Sequence, residues 1–286
     1  MLDEVISYKA LKGMDEAALR ARLAEEPHRA AALVRAAALN GIRSAQVMLG
    51  QMLVDGHGVA HDPAAGLRWF RIAAEAGSLD GINMVGRCHE LGWGVPRDAT
   101  EAARHYLAAA RKGHAWAQFN LASLLLHSPG FAEDPAPARA WFVRSARRGN
   151  PKAMAMVGRF LERGWGRPAN PVAARRWYRR AAEGGDYRGQ FDLARTLWED
   201  GRREEATGWF SRAVEAGVPD FCRLAAEGLR AAGDPALAAL ADRALERVAE
   251  AQAGAEALAQ ARAKEAAARR PRPLHRRRLR WPRLLA

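Results

Sequence analysis

A few histidines and cysteines are the first residues of this 286-residue chain to consider for chemistry. His57 and His61 are four positions apart, and Cys88 is followed directly by His89. A zinc site needs three or four ligands that converge on the ion. His57 and His61 stand in a glycine-containing turn rather than on one helical face, and too few further ligands accompany them. We therefore expect no metal ion and no other cofactor.

Three Gly-x-Gly steps, at Gly56, Gly92 and Gly164, are the next candidates, because glycine-rich loops can cradle phosphate groups. A dinucleotide site needs a preceding strand and a third glycine, and a P-loop needs Gly-Lys-Ser or Gly-Lys-Thr. Neither pattern is present, and no serine or cysteine nucleophile motif occurs. We interpret these glycines as helix-breaking turns and His105 as a half-buried core histidine. The sequence therefore predicts a protein that is not an enzyme.

Basic residues are concentrated at the C-terminus. Lys and Arg total 45 against 32 Asp and Glu, a net charge of +13, and ten of the basic residues follow position 261 with a single acid, Glu265. A solvated disordered tail, contact with nucleic acid, and contact with acidic protein or lipid headgroups are all compatible with this composition. Binding to nucleic acid would be sequence-independent, because nothing in the tail can read bases. The candidate anion-binding residues are Arg276, Arg277, Arg278, Arg280 and Arg283.

The secondary-structure elements that would position any site recur along the sequence with a period of 36 residues. A fixed period of this length is the signature of stacked structural repeats. Glycines keep the period at Gly41, Gly77, Gly113, Gly149 and Gly185. Helix-capping residues keep it at Asp62, Asp98, Asp134 and Asn170.

Each repeat is typical of a helix-turn-helix unit. A first helix is predicted from about Ala45 to Val54, because its apolar residues recur at helical spacing. Asp62-Pro63 then opens a second helix as N-cap and first residue. Gly50 lacks a side chain, which would let a neighbouring helix come close. Recurring aromatic pairs such as Trp69-Phe70, followed by small pairs, predict packing of large against small residues.

The resulting pattern resembles a Sel1-like repeat, a relative of the tetratricopeptide repeat. It is carried by Ala45-x3-Leu49-Gly50-x2-Leu53-x2-Gly56-x-Gly58-Val59-x2-Asp62-x6-Trp69-Phe70-x2-Ala73-Ala74-x2-Gly77. The resemblance implies an all-α fold, a right-handed α-solenoid of about six repeats that binds proteins or peptides. We predict N-terminal capping helices in 1–44, repeats in 45–80, 81–116, 117–152, 153–188 and 189–217, C-terminal capping helices in 218–253 and the basic tail in 254–286.

Two members of the pattern depart from it. The third repeat has His127-Ser128-Pro129-Gly130 in place of the glycine turn, and the fifth is shortened. Some secreted Sel1-like proteins pair cysteines within each repeat and are linked to β-lactam binding or hydrolysis. That enzymatic alternative fits poorly, because the repeats hold one cysteine and the N-terminus begins with acids in place of a signal peptide. We expect a cytoplasmic protein.

The analogy with tetratricopeptide repeats implies a concave groove lined by the first helices. Its arginines could bind an acidic peptide or form a solvated face with acidic neighbours, and its phenylalanines could be binding residues or could simply pack between helices. Trp93 and Trp165 either cover helix ends or form anchors at the edge. The candidate groove residues are Arg87, Arg159, Arg195, Asn83, Phe119, Phe191 and Trp198.

The leading hypothesis is therefore a non-enzymatic adaptor that holds a partner protein or peptide in this groove. The alternative is an accessory protein that contacts nucleic acid or an anionic membrane surface through its tail.

Overall fold

A computed structural model describes residues 27–128, 131, 135–166 and 168–268. Within those ranges the chain forms thirteen α-helices and no strand. The helices are α1 (Pro27–Leu39), α2 (Arg43–Asp55), α3 (Pro63–Glu75), α4 (Leu79–Leu91), α5 (Ala99–Arg111), α6 (Ala115–His127), α7 (Pro135–Arg147), α8 (Pro151–Arg163), α9 (Pro171–Glu183), α10 (Tyr187–Glu199), α11 (Arg203–Ala216), α12 (Pro219–Ala231) and α13 (Pro235–Ala268). The all-α repeat architecture predicted from the sequence is confirmed.

The helices alternate between two kinds, which we call A helices (α2, α4, α6, α8 and α10) and B helices (α3, α5, α7 and α9). Each A helix from α2 to α8 packs against the B helix that follows it, and each B helix packs against the next A helix. The first A helix runs from Arg43 to Asp55, two residues earlier than its predicted start. The later A helices start at the same register because a side chain caps each of them. Those caps are Ser78, His114, Asn150 and Asp186.

The predicted caps of the B helices are confirmed where the structure describes them. The carboxylate of Asp62 accepts a hydrogen bond from the Ala65 backbone N–H at 2.8 Å. Asp98 caps α5 and Asn170 caps α9 in the same way. Each such cap typically contributes about 1 kcal/mol to stability. Asp134, the remaining predicted cap, lies outside the described residues.

The glycine turns end the A helices. Gly56, Gly92 and Gly164 are the C-terminal caps of α2, α4 and α8, with φ of 69°, 78° and 70°. This left-handed conformation carries no steric penalty for glycine. The interpretation of these residues as helix-breaking turns is confirmed.

Large and small residues face each other where A and B helices meet, as predicted. A Cβ atom added to Gly50 would lie 2.5 Å from the Phe70 ring, and one on Gly158 would lie 2.4 Å from the Tyr178 ring. These glycines therefore allow the two helices of a repeat to approach. The aromatic partners are fully buried along the stack: Phe70, Tyr106, Phe142 and Tyr178.

The chain divides into two compact units, Met1–Trp209 and Phe210–Ala286. The first contains the A and B helices. In the second, α12 packs against the early part of α13 and buries Leu229 and Leu237. Helix α13 continues to Ala268, beyond its predicted end near Ala253, because its alanine-rich sequence favours a helix. No described helix combines the length and apolar character needed to cross a membrane.

Candidate functional site

A cleft of about 400 Å³ opens between the A helices α6, α8 and α10. Three predicted site residues meet there: Phe119 of α6, Arg159 of α8 and Trp165, which follows α8. We call it the peptide cleft. Its other lining residues are Ser123, Leu126, His127, Lys152, Ala155, Met156, Phe160, Arg163, Asp186, Tyr187 and Arg188.

Aromatic rings form one wall of the peptide cleft. The ring centroid of Phe119 lies 5.6 Å from that of Phe142 in a T-shaped contact, so Phe119 packs between helices and also lines the cleft. Trp165 lies 5.2 Å from Phe160 and is 41% exposed. An indole that is held on one side and open on the other can receive an apolar ligand group.

The arginines predicted for the groove differ in their partners. The Arg159 guanidinium donates to Asp192 at 2.8 Å, across from α8 to α10. Arg195 reaches back from α10 to Glu162 at 2.5 Å and also pairs with Glu199 at 2.9 Å. The arginines therefore have acidic neighbours, as the second interpretation expected, but Asp192 is buried rather than solvated. The two pairs tie neighbouring repeats together.

Burial and pairing act in opposite directions on the carboxylates of this network. Burial raises the pKa of Asp192, although the charge and hydrogen bond of Arg159 act to lower it. Burial also acts to raise the pKa of Glu162, but the hydrogen bond and charge of Arg195 outweigh it, so that pKa lies below its usual value. Tyr178 donates a further hydrogen bond to Glu162 at 2.9 Å. Glu162 is therefore held as a charged group between two donors.

The remaining predicted groove residues lie outside the peptide cleft. The Arg87 guanidinium lies 4.8 Å from the centroid of the Trp93 ring, and that indole also packs against the apolar cluster around Phe70. Asn83 accepts a hydrogen bond from Asn120 at 2.9 Å.

Two aromatic residues of α10 complete the predicted set. Phe191 is half-buried, and Trp198 has the Arg203 guanidinium 3.9 Å from its ring centroid. Neither residue lines the peptide cleft. The tail residues Arg276, Arg277, Arg278, Arg280 and Arg283 lie outside the described residues.

Three cations of the peptide cleft were missed by the sequence analysis. Lys152, Arg163 and Arg188 line the cleft, and each lies within 6 Å of an aromatic ring: 5.6 Å from Trp116, 5.8 Å from Trp165 and 5.7 Å from Tyr187, respectively. In the part of the chain that the structure describes, none of the three is ion-paired. The signal was available, because positions 152 and 188 are one repeat period apart and both are basic.

One buried carboxylate belongs to the peptide cleft. Asp186 caps α10 by accepting from the Gly189 backbone N–H at 2.8 Å. Burial raises its pKa, against the lowering effects of that hydrogen bond and of Lys152, Arg159 and Arg188. With Arg159 neutralised by Asp192, one acid faces three cations, and the cleft keeps an excess of positive charge.

Packing accounts for Cys88, His89 and His105, whereas His57 and His61 are exposed. His89 and His105 stack with ring centroids 5.7 Å apart, and burial lowers the pKa of His105. Cys88 is buried, and burial raises the pKa of its thiol to about 12, which leaves almost no reactive thiolate at neutral pH. Among the described residues, no three histidine, cysteine or acidic side chains are grouped as metal ligands.

Comparison with known proteins agrees with this geometry. The Sel1 repeat family matches residues 43–78, 79–114, 117–150 and 151–186. A Sel1 repeat protein from Oxalobacter formigenes is similar in structure, with 24% identity, a TM-score of 0.61 and coverage of 73% of this chain and 88% of that one. An immunity protein from Pseudomonas aeruginosa has 13% identity, a TM-score of 0.53 and coverage of 73% and 81%, respectively. No curated protein matches the sequence significantly.

The stacked helix pairs and their shared register define a helical repeat protein. The four matched repeats identify it further: the chain belongs to the Sel1 repeat family. Proteins built on Sel1 repeats generally mediate protein–protein interactions and are typically non-enzymatic.

Proposed function

We propose that this protein is a non-enzymatic adaptor that binds an acidic peptide segment of a partner protein in the peptide cleft. The observation that carries the proposal is the excess of cations beside an open aromatic wall. Lys152 and Arg188 form no ion pair with any described residue and supply charge, and Trp165 supplies exposed apolar surface. Arginine and aromatic side chains supply most of the binding energy in many interfaces.

The peptide cleft is suited to a side chain rather than to a small cofactor. Its volume of about 400 Å³ is shared among three helices, and its walls alternate between aliphatic stems, rings and charges. A carboxylate of the peptide would meet Lys152 and Arg188, while a neighbouring apolar residue would lie against Trp165 and Phe160. The charges would mainly speed association and exclude basic partners. The rings would contribute through burial of apolar surface.

A peptide selection tests this proposal. A random peptide library displayed on phage is selected against the full chain, and enriched peptides are expected to contain Asp or Glu next to an aromatic or aliphatic residue. The double variant Lys152→Glu/Arg188→Glu should weaken their binding at least about tenfold, a change of about 1.4 kcal/mol. Trp165→Ala should weaken it by a smaller factor.

The matched control changes the same amount of charge elsewhere. Arg68 and Arg176 are exposed, and the structure gives them no ion pair among the described residues. Arg68→Glu/Arg176→Glu is expected to bind the selected peptides as the unmodified chain does. Selected peptides without acidic residues, or equal loss in both double variants, would overturn the acidic-peptide proposal.

The alternative function, contact with nucleic acid or a membrane surface through the C-terminal arginines, stays a prediction, because those residues lie outside the described part of the chain.

A further inference from the structure

A second cationic feature, at the ends of helices α5 and α7, shares no lining residue with the peptide cleft. It is an open recess of about 550 Å³. Four arginines line it, and we call it the arginine recess. They are Arg111 at the end of α5, Arg144 and Arg147 in the last turn of α7, and Arg148 directly after it.

The arginine recess has a defined floor. The Arg144 guanidinium lies 4.5 Å from the centroid of the Trp141 ring, so the indole fixes its plane. Arg148 lies against Gly113, where an added Cβ atom would come within 2.7 Å of the guanidinium carbon. Gln118 donates to the Ala110 carbonyl at 3.0 Å, and its buried Oε1 atom has no hydrogen-bond partner. The floor therefore offers an aromatic ring and, at Gly113, backbone that no side chain covers.

The four guanidinium groups of the recess are exposed, and within the described ranges none of them is ion-paired with a carboxylate. The C-termini of α5 and α7 each contribute a partial negative charge equivalent to about half an elementary charge. Four full positive charges exceed that amount. In contrast with Arg159 and Arg195, these arginines have no carboxylate within ion-pair distance among the described residues, so the recess keeps a net positive charge.

The positive charge is confined to one junction between repeats. Arg111 and Arg147 occupy equivalent positions one period apart, and the same position holds Glu75 one repeat earlier and Glu183 one repeat later. Stacking of arginine on tryptophan is not confined in this way, because Arg180 covers Trp177 at 4.7 Å. The affinity of a long polyanion grows with the number of phosphates that basic residues neutralise, and the acids on both sides limit that number here. A cluster with acids on both sides suits a single compact anion.

We propose that the arginine recess binds the phosphate group of a phosphorylated side chain in a partner protein. A phosphate monoester carries a charge of about −1.5 to −2 and three acceptor oxygens. It can take paired hydrogen bonds from two or more planar guanidinium groups, whereas a carboxylate has one charge and two oxygens. A protein partner is favoured because Sel1 repeat proteins generally bind proteins.

The test uses the full chain and two fluorescein-labelled degenerate peptide pools, one centred on phosphoserine and one on phosphotyrosine, each with its unphosphorylated counterpart. Fluorescence anisotropy at physiological ionic strength is expected to show at least tenfold tighter binding of a phosphorylated pool. The triple variant Arg144→Met/Arg147→Met/Arg148→Met should abolish that preference. Arg68→Met/Arg176→Met/Arg180→Met, which removes equal charge elsewhere, should keep it.

Three results would overturn the proposal. Equal binding of phosphorylated and unphosphorylated pools would exclude a phosphate site. Competition by inorganic phosphate as strong as that by the phosphorylated peptide would assign the recess to free phosphate. The third result concerns a single-stranded oligonucleotide and anionic phosphatidylserine vesicles. If the triple variant loses binding to either of them but keeps phosphopeptide binding, the recess is assigned to those polyanionic surfaces. If circular dichroism shows that the triple variant is unfolded, Arg111→Met alone replaces it, with an expected loss of at least threefold.

Discussion

Two surfaces of the molecule contain arginines in opposite electrostatic situations. One is the arginine row of the A helices, Arg159 and Arg195, and the other is the arginine recess at the ends of α5 and α7. In the row, Arg159 and Arg195 are paired with carboxylates of the neighbouring A helix. In the recess, the structure pairs none of the four described arginines with a carboxylate. The comparison teaches that arginine content alone does not locate a binding surface. What matters is whether the fold has already supplied the counter-charge.

The largest expected effect comes from separating α8, which carries Arg159, from the B helix α9 that packs against it. Gly158→Ala places a methyl group 2.4 Å from the Tyr178 ring and forces α8 away from α9. We expect a loss of about 3 kcal/mol in the free energy of unfolding, as for an overpacked core. Urea denaturation followed by circular dichroism measures it.

Gly208→Ala is the matched control for that substitution. Gly208 lies within α11, and a Cβ atom there would meet nothing within 4 Å. Because alanine has the higher helix propensity, this variant should gain up to about 1 kcal/mol. Equal destabilisation of both variants would contradict the close-packing explanation.

The next largest effect compares the stability contribution of one arginine of the row with that of one arginine of the recess. Arg195→Met leaves Glu162 and Glu199 without their cation, and we expect a loss of about 1.5 kcal/mol, between the values for exposed ion pairs and for buried charged hydrogen bonds. Arg147→Met removes no ion pair and should change stability by less than about 0.5 kcal/mol. Thermal and urea unfolding of both variants checks the contrast, which fails if the two losses are equal.

The sequence was sufficient for the fold because its signals are local. The 36-residue register, the caps at Asp62 and Asn170, and the pairing of Gly50 with Phe70 all follow from residues within one repeat. The helix α13 runs on to Ala268 because the alanines after Ala253 favour a helix by propensity, although they bury no large side chains.

The site was only partly predictable because charge pairing crosses between repeats. Asp192 is 33 positions from Arg159 in the sequence, and Glu162 is also 33 positions from Arg195. Neither pair therefore forms a short-range sequence motif. Phe119 and Trp165 were among the candidates, and the structure brings them together with Arg159 in one cleft. Two features could be identified only from the positions of neighbouring A helices in the structure. They are the carboxylates that pair with the arginine row and the cations beside it that form no ion pair among the described residues.

A smaller effect is expected in the pH dependence of the row. The pKa of Glu162 is lowered in the folded protein, so its contribution is present above the unfolded value of about 4.3 and is lost as pH falls through the folded pKa. The stability difference between the unmodified chain and Glu162→Gln should therefore shrink on going from about pH 7 to about pH 3. Urea unfolding at both pH values measures this change.

Asp192 provides a control of opposite sign. Its pKa is raised by burial, so its pH-dependent contribution is present below the unfolded value and decreases as pH rises. The difference between the unmodified chain and Asp192→Asn should shift in the opposite direction to that of Glu162→Gln. Arg147→Met, which faces no paired carboxylate among the described residues, should give the same difference at both pH values.

The smallest expected effect tests whether the arginine recess has enough net positive electrostatic potential to attract an anion. At about 0.01 M ionic strength the Debye length is about 30 Å, and all four guanidinium groups interact; at about 1 M it is about 3 Å, and they do not. Arg147→Met loses some attraction to the C-terminus of α7 but relieves repulsion from three full charges, so at low salt it should gain about 0.3 kcal/mol. The gain should disappear at high salt. A variant that is less stable at low salt would mean that the helix dipole already neutralises the recess, and the electrostatic argument for phosphate binding would fail with it.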